Sequence, residues 1–284
     1  MTAWILLSVA VVAMLAIDLL VFGREDHEVT VRESGIWSVV WLAVALGFAG
    51  VLFLEGSYSG GEYLAGYLLE RSLSLDNLFV FAVLFAYFGV PKITQPKVLS
   101  WGIMLALVLR LIFILIGAEL LDRFHVTFYA FGLLLVYTAY KLARHDDAKI
   151  PAENPVVRTV RKRFPGVRPL VIVFIAVATT DVIFAVDSIP AIFAITTTPF
   201  VVFAANAFAM LGLRALYFLL VGVMDRFIYL SQGLAVILAI IGAKMLLIDV
   251  WHPPIWLSLV LIVVVLGATA WLSVRATARE AAAA

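Results

Sequence analysis

Apolar residues run in long blocks along this chain, and the polar ones gather between them. A helix needs roughly 20 apolar residues to cross the hydrocarbon of a bilayer. Nine blocks qualify, at about 3–22, 36–54, 64–88, 98–121, 126–143, 168–196, 199–222, 229–249 and 254–273. Gly, Pro and charge clusters punctuate them at Gly23–Glu33, Pro91 to Pro96, Asp122-Arg123, Pro199, Asp225-Arg226 and Pro253-Pro254. The long polar segment 144–168 reads as a loop, not a second domain. The pattern predicts an all-α polytopic membrane protein of about nine transmembrane helices in one domain. Residues 1–60 carry two N-terminal helices, 62–145 a first repeat, 146–167 a loop, 168–250 a second repeat, and 251–284 the last helix and tail.

Composition agrees with the pattern. Of 284 residues, 64% are hydrophobic and 14% charged, where a soluble domain carries about a quarter charged. A soluble fold of this length cannot keep that much apolar surface dry. The chain has no cysteine, which removes disulfides, thiol redox chemistry and thiolate metal sites. Met1 to Phe22 lacks a basic leader and contains Asp18, so it reads as a retained first span.

The net charge of +1 is uninformative, but its distribution is not. With alternating spans, Arg24, Arg32, Lys92, Lys97, the basic 141–168 segment, Arg226, Arg275 and Arg279 share one side, and Arg123 stands alone on the other. Basic loops stay cytoplasmic, which puts the N-terminus outside and the C-terminus inside. The 158–163 cluster reads as a membrane-facing segment rather than a nucleic-acid site.

A repeat is visible in the spans. Leu105 to Arg110 echoes Ala209 to Arg214, Asp122-Arg123-Phe124 echoes Asp225-Arg226-Phe227, Asp76-Asn77 stands where Asp181-Val182 stands, and Lys141 matches Lys244, all at offsets of 103 to 105 residues. Each copy holds three spans, so the second enters from the opposite side. Inverted repeats of this kind are a transporter architecture, with sites near the midplane.

Asp18, Asp76, Asp181 and Asp187 lie inside spans, with Glu70 and Glu119 nearer the ends. An ionisable group in lipid costs a few kcal/mol or more and has a partner or a task. Arg110 and Arg214 cannot neutralise all four aspartates by count, and a cation offsets the surplus. Ser72 sits one helical turn before Asp76, and Pro190 frees the carbonyl of Val186 near Asp187 and Ser188. Carboxylate, amide, hydroxyl and carbonyl oxygens suit hard or borderline divalent ions. With His27, His125, His145 and His252 at span ends or in loops, Zn²⁺ and Cu⁺ fit less well. The reading is therefore a metal site of Asp76, Asn77, Asp181 and Asp187, with Ser72, Ser188, Glu70, Met210 and Asn206 as secondary candidates and no resident cofactor. A thioether from Met210 favours Mn²⁺ over Mg²⁺. There is no phosphate-binding Gly loop, no His-Glu-x-x-His pattern and no Ser–His–Asp set at one depth.

At these same residues the sequence resembles the TerC family of membrane proteins. Glu62 to Phe81 resembles its first signature, Asp181 to Ala191 its second, and Asn206 to Phe218 the segment that follows. The likeness runs from about residue 3 to 273 and matches the longer, Alx-like form. It implies a bacterial inner-membrane protein of a family named for tellurium resistance and implicated in Mn²⁺ export. The family's acidic motifs map onto Asp76, Asn77, Asp181 and Asp187. One departure is Ala178, where many members have the Glu of a Glu-x-Ser-Asp pattern. The expected function is export of a divalent cation, Mn²⁺ first, by proton antiport, with no enzyme activity. A non-transporting scaffold for tellurite resistance or secretion-linked metalation is the alternative, and an intramembrane enzyme a weaker one. The expected partners are the divalent ion and the lipid bilayer, with no nucleic acid. The sequence leaves the oligomeric state open.

Overall fold

The computed structural model describes residues 2–23, 30–56, 59–144, 155–163, 166, 168–221, 228–250 and 253–283. These residues form helices and no strand: α1 (Thr2–Gly23), α2 (Val31–Glu55), α3 (Gly60–Tyr87), α4 (Gln95–Arg123), α5 (Val126–Ala143), α6 (Pro155–Arg163), α7 (Pro169–Phe193), α8 (Pro199–Met210), α9 (Leu213–Val221), α10 (Leu230–Leu246) and α11 (Ile255–Ala283). Local chemistry sets several of their starts. The Thr30 and Ser59 hydroxyls accept from the backbone N–H of Glu33 and Glu62, and α4, α7 and α8 carry a proline at their first or second position, where its missing N–H is unneeded.

Lipid explains the outer surface. Leu54 is 90% exposed and Trp101 64%, on faces that water would penalise by roughly 1.5–3 kcal/mol per large side chain. Five helices are long and apolar enough to cross a membrane: α2, α4, α5, α7 and α11. The bent pair α8–α9 makes a sixth if it counts as one span. Two shorter apolar helices, Thr2–Asp18 and Leu230–Leu246, stand beside them. The 28-residue α3 is outside that set because it carries Glu62, Glu70, Arg71 and Asp76.

Two details depart from the sequence reading. The polar segment before α7 contains a helix, α6, which packs on α7. The block 199–222 is not one helix: the chain breaks after Met210, bends by 44° and resumes at Leu213. Gly212 sits at the break with φ of 80°, and a Cβ there would lie 2.6 Å from Trp41, so both conformation and space favour glycine. Arg71 of α3 donates to the freed carbonyls of Ala209 (2.8 Å) and Leu211 (3.2 Å). Backbone broken at membrane depth needs such internal partners. Arg24, His27, His145, His252, the tripeptide Asp225-Arg226-Phe227 and most of the 144–168 segment lie outside the described residues.

The most extensive helix pairings are α5 with α10, α3 with α8, and α4 with α7. Named contacts give their directions. Gly102 meets Val177 and Gly117 meets Phe193, so α4 and α7 run parallel. Gly66 meets Ala205 and Phe85 packs on Tyr217, so α3 runs parallel to α8–α9. His125, before α5, pairs with Asp249, past α10, and Gly132 abuts Gly242, so these two helices are antiparallel. The pairing maps onto itself when α3, α4 and α5 are exchanged for α7, α8–α9 and α10. Two three-helix units inserted in opposite directions would pack this way.

Candidate functional site

Glycines bring the site's helices together. At Gly66 a Cβ would stand 3.2 Å from the Ala205 Cβ and 3.3 Å from Ile192. This close approach of α3 to α8 and α7 lies one turn from Glu70 and next to Asn206. At Gly102 a Cβ would stand 3.1 Å from Val177, one turn from Asp181. Small residues at crossings let membrane helices pack this tightly, and here they hold polar groups of three helices around a side chain of a fourth.

That side chain is Arg110 on α4, which is 1% exposed. Its Nη1 donates to Glu70 Oε1, to Asn206 Oδ1 and, at 3.3 Å, to Ser188 Oγ. Its Nη2 lies 3.7 Å from Asp181 Oδ1, an ion pair too long for a hydrogen bond. Two carboxylates, an amide oxygen and a hydroxyl thus converge on one guanidinium. The match is imperfect: one Nη with two protons faces three acceptors, and Glu70 Oε2 and Arg110 Nε are buried without a hydrogen-bond partner. Asp181 also lines a small internal cavity with Leu99, Gly102, Ala106 and Met210.

The other intramembrane acids have separate partners. Asp18 of α1 pairs with Arg214 at 2.9 Å, and Arg214 also donates to the Asp18 carbonyl and to Ser100 Oγ at 2.6 Å. Asp76 accepts from Ser231 of α10 at 3.1 Å, and Asp187 from Thr138 of α5 at 2.9 Å. Glu119 is exposed and paired with Arg123.

Of the four principal candidates, then, only Asp181 joins the cluster. Asp76 and Asp187 are turned to other helices, and Asn77 is buried on α3 beside Asp76. Among the secondary candidates, Glu70, Ser188 and Asn206 are in the cluster and Met210 borders its cavity. Ser72 returns its proton to Leu68 of its own helix at 2.6 Å. Val186 is 48% exposed, on the outer face of α7. Among the described residues, no three of His, Asp and Glu come together as a ready metal site.

Sequence reasoning placed Glu70 near a span end, yet it is fully buried in the core. The helix begins at the Ser59 cap, so Glu70 lies three turns inside it. The Ser59-x-x-Glu62 spacing is a helix-start signature that could have located it. No sequence signal marks Arg110 as the centre of four groups.

The integral membrane protein TerC family matches residues 55–281, which contain every member of this cluster. The chain belongs to the TerC family. Among its TerC relatives, one from Escherichia coli K12 is 42% identical over 301 residues, covering 94% of each chain. One from Salmonella typhi is 44% identical over 282 residues, covering 89% of this chain and 87% of its own. Both carry the provisional name membrane-bound redox modulator Alx. A relative from Myxococcus xanthus, described as an uncharacterized membrane protein, is 42% identical over 279 residues, covering 91% and 88%. No solved structure matches the chain.

Proposed function

We propose that this TerC protein is a secondary transporter that exports a divalent cation, Mn²⁺ first, through the Glu70–Asp181–Ser188–Asn206 cluster. One observation carries the reading: four oxygen groups from α3, α7 and α8 converge on a cation inside an apolar bundle. That donor set suits hard and borderline divalent ions, and the Met210 thioether at the adjoining cavity favours Mn²⁺ over Mg²⁺. Asp76 and Asp187, each held by a hydroxyl, are the flanking acids of the route. The protein spans a bacterial inner membrane nine times, N-terminus outside, with two inverted repeats around the site. It is not an enzyme.

Export of a dication runs against the membrane potential, which opposes it by about 2.3 kcal/mol per charge per 100 mV. Proton antiport supplies the missing energy. The relatives' name speaks of redox modulation. A chain with no cysteine has no thiol to cycle, so a redox effect here runs through the cell's metal pool.

The deciding experiment is metal content and Mn²⁺ tolerance of cells with and without the protein, across Mn, Fe, Zn, Mg and Ca. Expression lowers one of these, Mn first, and Glu70→Gln or Asp181→Asn at matched abundance abolishes the effect. A full effect in both variants removes the cluster as the route, and no change in any of these metals leaves the scaffold reading standing instead.

A further inference from the structure

The guanidinium of Arg110 occupies the seat that the proposed function assigns to the cargo. A metal ion satisfies convergent oxygens by charge and distance, whereas a guanidinium must supply a proton for each. Arg110 does this poorly. Three acceptors crowd Nη1, Asp181 stands 3.7 Å from Nη2, and the buried Glu70 Oε2 has no partner. The cluster therefore has more acceptor capacity than its resident cation uses. A small void, about the size of one water, lies beside it. The cavity bordered by Asp181 is lined along α4 by Leu99, Gly102 and Ala106, all N-terminal to Arg110. Long helical side chains lean toward the N-terminus of their helix, so a displaced guanidinium moves toward this side, where the water-sized void must widen to receive it.

We infer that Arg110 is a tethered competitor of the transported cation: it fills the seat when the transporter is empty, and the divalent ion binds by displacing it. The inference rests on the proposed function and adds to it a built-in counter-ion. Two buried carboxylates would otherwise need a cation from solution before the empty site could change sides, because unpaired charge in a low-dielectric interior is strongly unfavourable. A tethered arginine meets that need, and in return it lowers the apparent affinity for cargo by the fraction of time it keeps the seat.

Equilibrium Mn²⁺ binding to the purified full chain in detergent tests this directly, by dialysis with metal quantification. Arg110→Gln removes the competitor and should tighten Mn²⁺ binding by about tenfold or more, as expected when a seat occupied most of the time becomes vacant. Arg110→Lys keeps one positive charge but a compact ammonium with a different reach, and should fall between the two. Arg110→Lys preserves the bundle's charge, so it decides the matter even where Arg110→Gln fails to fold. Binding by either folded variant that equals or is weaker than wild type overturns the inference and makes Arg110 a support of the seat. Should folded wild type and variants all bind no Mn²⁺, Fe²⁺, Zn²⁺, Mg²⁺ or Ca²⁺, the transporter reading falls, and the competitor with it.

Discussion

Arg110 and Arg214 stand at matching places in the repeated sequence pattern, and both are buried, at 1% and 2% exposure. Their surroundings differ. Arg110 is ringed by side-chain oxygens from α3, α7 and α8, two of them from carboxylates. Among the described residues Arg214 faces one carboxylate, Asp18, with the main-chain carbonyl of the same residue and the hydroxyl of Ser100. The first arrangement has surplus negative charge and lies where α3 and α4 meet α7 and α8. Among the described residues the second sets one acid against one base and ties α1 to the bundle. Two arginines at matching sequence positions thus have different surroundings, which on the proposed function makes one the centre of an ion seat and the other a clamp. An unpartnered oxygen does not separate the two centres, since Asp18 Oδ1 lacks a hydrogen-bond partner as Glu70 Oε2 does; the second carboxylate at Arg110 does separate them.

Neutralising one acid at each centre separates the two roles most sharply. Asp181→Asn should abolish export while the protein accumulates in the membrane, because Glu70 still balances Arg110. Asp18→Asn should do the reverse: it leaves the Arg214 guanidinium without its described carboxylate partner, and a broken buried pair costs about 3–5 kcal/mol. Its mark is lower abundance and a lower midpoint of thermal unfolding in detergent, with export per folded molecule preserved. Loss of export per molecule in Asp18→Asn would dissolve the distinction between seat and clamp.

Asn206→Ala is a smaller intervention at the first centre. Asn206 gives its amide oxygen to Arg110 and its Nδ2 to Val202 O at 3.4 Å. Truncation leaves the buried guanidinium short of one acceptor, at a cost of about 1–3 kcal/mol, and removes one neutral oxygen from the seat. The expected outcome is export with a raised half-saturating Mn²⁺ concentration, measured in proteoliposomes. The equivalent truncation at the clamp, Ser100→Ala, should leave half-saturation where it was.

How much of this was legible in the sequence depends on distance along the chain. The helices came through: the expected 126–143 is α5 to the residue, and 168–196 is α7 within three. Long apolar blocks and their Gly and Pro borders are local properties. The acids were legible as candidates because carboxylates in apolar blocks are rare. Their partners were not, because these lie far apart in sequence. Glu70 is joined to Arg110 across 40 residues and Asn206 across 96. Repeat logic even pointed the wrong way in one respect. It treated Asp76 and Asp181 as equivalent, yet one takes a hydroxyl from α10 and the other an arginine from α4. Matching positions in the sequence pattern therefore do not carry matching contacts. The Gly212 break was missed for a related reason: one glycine in an apolar run looks like any other until Trp41 is found against it.

That break also offers a test of the clamp. Gly212→Ala puts a Cβ where φ is 80° and where Trp41 is 2.6 Å away. A non-glycine residue held in that region costs of order 1–3 kcal/mol, and Trp41 must also move. Because Arg214 follows two residues later, the strain should fall on the clamp and not on the seat. A modest drop in unfolding midpoint with unchanged half-saturation for Mn²⁺ is the expected pair of results.

The smallest expected effect concerns Asp187. Its hydrogen bond from Thr138 is neutral donor to carboxylate, on the α5 side of α7 and away from Arg110. Thr138→Val keeps the shape and removes the hydroxyl. A hydrogen bond to a charged group contributes about 1.5–3 kcal/mol when both partners are buried, but Asp187 is only partly buried and Lys141 is a charged neighbour that can compensate. The net loss of stability should therefore sit at the low end of that range or below it. If Asp187 flanks the route, the variant slows export at saturating Mn²⁺ and leaves half-saturation unchanged, since the seat itself is intact. A change confined to half-saturation would place Asp187 in the seat with Asp181. The pair of acids on α7 would then act as one unit, and the separation drawn between cluster and flank would have to be redrawn around both.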